Sequence, residues 1–275
     1  MIKLSGFGDE IAPDLEAQLA VLASEGIHHL ELRAVWGKGV LELSDAEVTR
    51  VKEVLAANDF RVSAIASPIG KVEIRKPFGP QLDLLQRAIR VAKTLDTLYV
   101  RVFSFYMPEE GPPERYREEV LQRLEVMVKL ARDEGIVLLH ENEKDIYGNT
   151  AKRCFEILSA IDSVHLRAIF DFANFLEIGE RPSMAFSLLQ PYVAYFHVKD
   201  ARLGIRGSIV LPGQGDGEIP RIMKKAISGG FNGFVSLEPH LHLSGRFSGF
   251  SGPEGFRAAA RALKGILEKE GIQWA

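Results

Sequence analysis

Hydrophobic and polar positions along the chain fall into two alternating patterns. Short apolar runs rich in β-branched and aromatic residues occupy 2–7, 28–33, 61–66, 98–103, 136–140, 166–170, 193–196 and 234–237. Longer segments between them carry apolar residues at helical spacing, over 14–24, 45–57, 81–94, 114–133, 150–160, 182–190, 220–228 and 253–269. The unbroken apolar run Ile136-Val137-Leu138-Leu139 suits a strand covered on both faces. Ser44 followed by Glu47 has capping-box spacing, and Pro182 and Pro220 suit first helical turns. Glycines at Gly26, Gly135 and Gly229-Gly230 mark helix ends.

Eight strand–helix units predict a closed parallel (β/α)8 barrel, a TIM barrel, spanning 1–275 as one domain. Loop lengths agree with this. Helix-to-strand connections are short, whereas strand-to-helix connections are long at 67–80, 200–217 and 239–252. The long ones fall on the side where the strands end, which is where such barrels keep their active sites. A doubly wound open sheet is the alternative. It needs a glycine-rich phosphate loop after an early strand, and Gly6-Phe7-Gly8 is too short to supply one.

Composition narrows the function classes. The formal charge is −3, from 34 Lys and Arg against 37 Asp and Glu, which argues against a broad nucleic-acid or membrane-binding surface. The one cysteine, Cys154, cannot form an internal disulfide, and no apolar run is long enough to cross a membrane. The start of the chain lacks the apolar core of a secretory signal, so a cytoplasmic protein is expected.

The candidate chemistry sits at the ends of the last four strands. They finish in Glu141, Asp171, His197 and Glu238, and neighbouring barrel strands bring these residues to one rim. Three carboxylates together are electrostatically costly unless a divalent cation lies between them. Three oxygen donors and one imidazole suit Mn²⁺, Mg²⁺ or Co²⁺ better than a tetrahedral structural Zn²⁺ site, though Zn²⁺ stays open. The bland alternative is that single acids at strand ends cap helices or pair with surface cations; Asn174 could cap the segment after Asp171. His140 alternates with Glu141 and reads as a satisfied core histidine in the helix layer, and Glu143 is a weaker candidate.

The strings Glu141-Asn142, Asp171-x-x-Asn174, His197-Val-Lys199-Asp200 and Leu237-Glu238-Pro239-His240 resemble the sugar-phosphate isomerase/epimerase superfamily, the xylose isomerase-like barrels. The segments Phe7-Gly8-Asp9-Glu10-Ile11, Glu31-Leu-Arg33, Ser67-Pro-Ile-Gly-Lys71 and Pro212-Gly-Gln-Gly-Asp-Gly217 extend the resemblance over essentially the whole chain. It implies a metal held by Glu141, Asp171, His197 and Glu238. In the ketose 3-epimerases of the group two glutamates act as acid and base on opposite faces of the sugar. Carried over, Glu141 and Glu238 are the catalytic pair, moving a proton through an enediolate. Those epimerases place a histidine where this chain has Asn174, so their substrate contacts do not transfer directly.

Candidate contacts to a small carbohydrate are Asn174, Lys199, Arg202, Lys71, Arg101 and His240. Lys199 and Asp200 could equally pair with each other, Arg202 and Arg206 could be solvated, and Glu31 and Arg33 could form a structural ion pair. Phe7 and Trp36 could stack on a sugar or simply fill space, and His242 could line the pocket. The run of glycines ending at Gly217 lacks the Lys-Ser/Thr of a phosphate loop and reads as a flexible turn or lid.

The leading function is a metal-dependent sugar or sugar-phosphate isomerase or epimerase. A lyase or dehydratase acting on a keto-sugar or inosose is the alternative on the same scaffold. An endonuclease IV-like phosphodiesterase needs histidines that strands three and four lack, and a non-catalytic sugar-binding barrel fits poorly with four intact ligand positions. A homo-oligomer stays open.

Overall fold

Eight parallel strands close on themselves in chain order, and each is followed by at least one helix. In the computed structural model, which describes residues 1–241 and 251–275, they are β1 (Lys3–Phe7), β2 (His29–Leu32), β3 (Arg61–Ile65), β4 (Tyr99–Val102), β5 (Val137–Glu141), β6 (Leu166–Asp171), β7 (Val193–Val198) and β8 (Phe234–Leu237). β8 pairs with β1 in register Lys3↔Phe234 and Ser5↔Ser236, which seals the cylinder. The helices are α1 (Leu15–Ser24), α2 (Asp45–Ala57), α3 (Gly79–Thr94), α4 (Arg117–Asp133), α5 (Ala151–Ile161), α6 (Phe172–Glu177), α7 (Pro182–Leu189), α8 (Ile219–Ser228) and α9 (Gly252–Lys269). The expected (β/α)8 barrel is therefore the fold.

Local chemistry explains several boundaries. The capping box at α2 is complete: Ser44 Oγ accepts from Glu47 N–H, and the Glu47 carboxylate accepts from Ser44 N–H. Gly26, Gly135 and Gly230 all adopt positive φ where helices turn into strands. Two features escape the hydrophobic pattern. A small hairpin pairs Ala34–Val35 with Lys38–Gly39 through Trp36 and Gly37, both at positive φ. The short helix α6 follows β6 without a loop, and its cap is the Asp171 carboxylate accepting from Asn174 N–H. Asp171 therefore caps this helix, as an acid at a strand end can, and Asn174 does not.

The main core lies between barrel and helices, from Ile2 and Leu4 round to Phe256 and Leu263. A smaller cluster of Ala64, Leu139, Ile169 and Tyr195 fills the lumen. The lumen is thus filled by side chains beneath the rim rather than open as a pore. Among the described residues, no helix is long and apolar enough to cross a membrane.

Candidate metal centre

Strand alternation turns residues two apart to the same side. Glu141, Asp171, His197 and Glu238 therefore face inward from β5, β6, β7 and the end of β8. One ligand atom from each lies within 4.8 Å of the others, and all four residues are buried. His197 Nδ1 is 3.0 Å from Glu141 Oε1, 3.8 Å from Glu238 Oε2 and 4.0 Å from Asp171 Oδ2.

Each glutamate is clamped on one oxygen. Arg101 donates to Glu141 Oε2 at 3.0 Å, and Arg33 donates to Glu238 Oε1 at 2.7 Å. Arg33 also binds Asp9 at 2.6 Å and Glu10 at 2.9 Å. Lys199 Nζ stands between Asp171 Oδ2 at 3.0 Å and Glu238 Oε2 at 3.1 Å. Its approach to Asp171 is an ion pair by distance only, because Oδ2 accepts no aligned hydrogen bond from any described residue.

Beneath the ligands runs a polar column. Glu31 Oε1 accepts from His197 Nε2 at 3.0 Å, and Tyr195 Oη donates to Glu31 Oε2 at 2.9 Å. The Ser63 hydroxyl meets Tyr195 Oη at 2.9 Å and Ser5 Oγ at 2.6 Å. Phe7 closes the floor, edge-on to His197 with ring centres 5.1 Å apart.

The charges settle unevenly. Burial pushes the Asp171 carboxyl up to about 7, only partly opposed by Lys199. Burial also works against ionised Glu141, but His197 and Arg101 outweigh it and hold that group at about 2. Glu238 is likewise held well below the usual carboxylate range, by Lys199, His240 and Arg33 against burial. For His197, burial favours the neutral ring, yet Glu31 and Glu141 raise it to about 10.

The buried Glu10, Glu31, Glu141, Asp171 and Glu238 outnumber the cations set among them, Arg33, Arg101 and Lys199. That excess of buried carboxylates, the unpartnered Asp171 Oδ2 and the mixed oxygen and imidazole donor set all fit a divalent cation. The cluster could bind a metal.

A cavity of about 500 Å³ opens above it, lined by Arg33, Lys71, Arg101, Glu141, Lys199 and Glu238 among others. His240 and Glu143 also line it; Lys71 pairs with Glu143 at 2.8 Å, and His240 Nδ1 meets Glu10 at 2.8 Å. Other candidates are placed elsewhere. The Asn174 amide turns onto Asn142 O at 2.8 Å and Glu141 Oε1 at 3.4 Å and lies outside the cavity lining. Arg202 is exposed, 4.0 Å from Asp216, and Arg206 pairs with Asp145, both away from the cavity. Trp36 sits in the hairpin turn under Arg50. His242 lies outside the described residues.

Three expectations change. Glu31 and Arg33 do not pair with each other: the first braces His197, and the second bridges three carboxylates. The run ending at Gly217 is pinned, because Gly213, Gly215 and Gly217 all donate N–H to the Asp200 carboxylate at 2.9–3.0 Å. A Cβ on Gly215 would lie 2.3 Å from Asp200 Oδ1. His140 does face the helix layer, but neither ring nitrogen has a partner among the described residues. Asp9, Glu10 and Tyr195 belong to the site although the strand-end pattern by itself does not mark them. Tyr195 lies two positions before His197 on the same face, which is the signal that could have found it.

Fold and site together define a (β/α)8 barrel with a buried carboxylate–imidazole centre at the carboxyl ends of its strands. The family model for xylose isomerase-like TIM barrels matches residues 19–266, and the chain belongs to that family. No curated protein matches the chain. Among solved structures it is similar to an IolI protein with a bound zinc atom, at TM-score 0.81 and 16% identity, covering 98% of this chain and 99% of that one. It is similar to a D-tagatose 3-epimerase-like protein, at TM-score 0.80 and 19% identity, covering 98% of each chain. It is also similar to the probable 3-DHS dehydratase AsbF of Bacillus anthracis, at TM-score 0.78 and 16% identity, covering 96% and 99%.

Proposed function

We propose that this chain is a metal-dependent sugar or sugar-phosphate isomerase or epimerase, with Glu141 and Glu238 as its acid/base pair. The observation that carries the reading is the matched clamping of the two glutamates. Each gives one oxygen to an arginine, Arg101 or Arg33, and turns the other toward the shared centre beneath one cavity.

Glu141, Asp171, His197 and Glu238 would hold the metal, with Mn²⁺, Mg²⁺ or Co²⁺ suiting the donors and Zn²⁺ also compatible. When bound, a divalent cation supplies Lewis acidity that lowers the cost of negative charge gathering on a substrate carbonyl oxygen. Glu31 accepts from His197 Nε2 and so leaves Nδ1 to the centre. Both glutamates are held ionised, so either carboxylate would accept a proton from a carbon beside a carbonyl. The same carboxyl would return it to the neighbouring carbon, or the other glutamate, once protonated from solvent, would deliver a proton to the opposite face. β6 and β7 stand between their strands, so the two carboxylates reach the same cavity from separate strands, which supports giving them separate roles. Arg101 and Arg33 fix the angle of approach, and Lys71 and Lys199 are placed to bind hydroxyl or phosphoryl oxygens. A small carbohydrate suits both the volume and the polarity of this lining.

Elimination is the second reading, favoured by His240 in the lining, whose Nε2 stands 3.5 Å from Glu238 Oε1 and adds a polar ring beside the place a leaving hydroxyl would occupy. Solvent-deuterium incorporation across ketoses, keto-sugars and inososes, with Mn²⁺ or Mg²⁺ supplied, tests both. Glu141→Gln and Glu238→Gln should each abolish incorporation with the fold intact, and a fully active variant removes that glutamate from the mechanism. Loss of water or an alcohol from the substrate identifies the lyase.

A further inference from the structure

The far end of the barrel carries charge of the opposite sign. Counting back along each strand by twos gives the lumen-facing residues at the amino-terminal mouth. They are Lys3 below Phe7, His29 below Glu31, Arg61 below Ser63, Tyr99 below Arg101, Arg167 below Asp171 and Phe234 below Glu238. Lys3, His29 and Arg61 line one open cavity of about 430 Å³ together with Tyr99 and Phe234. Arg167 lines an adjoining cavity of about 480 Å³, and the two share Tyr99, Asn232 and Gly233.

Phe234 plugs the lumen between this mouth and the polar column above. Its ring packs on Tyr195 at 5.6 Å and Tyr99 at 6.4 Å, with Lys3 Nζ over it at 5.3 Å and His29 edge-on at 5.1 Å. Among the described residues, Lys3, Arg61 and Arg167 have no carboxylate within ion-pair distance. The acid in this lining, Asp96, is engaged by Lys52 at 2.8 Å. His29 Nδ1 is shielded from solvent and has no hydrogen-bond partner among the described residues. Burial, with Lys3 and Arg61 beside it, pushes the His29 pKa down, which leaves a neutral ring.

Cations gathered round one concavity repel each other, and no carboxylate of the lining is free to offset them. The geometry points to this mouth as a binding site for a small multivalent oxyanion of the phosphate class, held chiefly by Arg61 and Lys3. A guanidinium presents paired N–H donors to such an anion, an ammonium adds a point charge, and Tyr99 and His29 offer neutral polar atoms. The cavity is open to solvent, so the interaction weakens as salt screens it. The site is separate from the carboxylate centre and does not depend on the reaction proposed there.

Calorimetric titration of the full chain with inorganic phosphate, in EDTA and at low ionic strength, tests the site. Phosphate should bind about tenfold more weakly in Arg61→Ala and in Lys3→Ala, and with unchanged affinity in Lys129→Ala, whose ammonium is exposed on α4 away from both cavities. Both mouth residues are exposed, so folding should survive; circular dichroism checks this, and Arg61→Lys should restore part of the affinity. A parallel titration with glycerol 3-phosphate identifies the source: tighter binding than phosphate means a phosphorylated metabolite, and weaker means the free ion. Failure of the unaltered chain to bind phosphate, undiminished binding in both alanine variants of the mouth, or an equal loss in Lys129→Ala would overturn the assignment.

Discussion

Glu31 Oε1 accepts the Nε2–H of His197 at 3.0 Å, from the strand on the far side of the lumen. Both side chains are fully buried, and Tyr195 holds the other Glu31 oxygen. The bond orients the ring and commits Nδ1 to Glu141, Asp171 and Glu238.

Removing such a brace from a ligand histidine lowers metal affinity by about 10–100-fold. Glu31→Ala should therefore weaken Mn²⁺ binding by that factor, and Tyr195→Phe by a smaller one. Calorimetric titration of the metal-free protein measures both. Equal affinity in Glu31→Ala and the parent would mean that the ring needs no brace.

The same histidine sets a pH dependence for the metal-free protein. Its pKa is raised to about 10 from an ordinary 6.5, so its stabilising effect is complete below about 6.5 and is lost as pH climbs toward 10. The Tm without metal should fall across that window. Metal must displace the proton from Nδ1, so the Tm gain on adding Mn²⁺ should be larger at pH 8.5 than at pH 6.5. Thermal unfolding with and without Mn²⁺ at both pH values checks this, and a gain that shrinks with rising pH contradicts it.

Asp200 organises the loop beyond β7 by accepting from Ala201, Gly213, Gly215 and Gly217. Asp200→Ala leaves those amides without their acceptor, at about 1–3 kcal/mol for each one that water cannot reach. The expected result is a lower urea midpoint together with proteolytic cleavage within residues 204–217. Cleavage no faster than in the parent would show that the loop holds itself.

His140 is buried, and both ring nitrogens lack partners among the described residues. Burial lowers its pKa to about 4, so it enters the core neutral. Replacing an unsatisfied polar ring by an apolar side chain removes a desolvation cost of about 1–3 kcal/mol. His140→Leu should match or exceed the parent in stability at pH 7 by urea unfolding, and it should lose less stability on acidification from pH 6.5 toward 4. A loss of several kcal/mol would reveal a partner for the ring.

Local periodicity made the architecture legible. Apolar runs alternating with helical segments are a property of neighbouring residues, and eight such units leave a closed barrel as the simple way to cover every strand. Strand ends then mark the rim, so the convergence of Glu141, Asp171, His197 and Glu238 was readable from position alone. Tertiary structure decided the rest. Arg33 reaches Glu238 across 205 positions of sequence, and Glu31 reaches His197 across 166. No local pattern encodes such pairings, because they depend on where the cylinder brings long side chains together. The same distance from sequence hid the inward turn of Asn174, the outward turn of Arg202 and the partnerless ring of His140. Chain order settles which strands are neighbours; side-chain reach and burial settle which atoms meet.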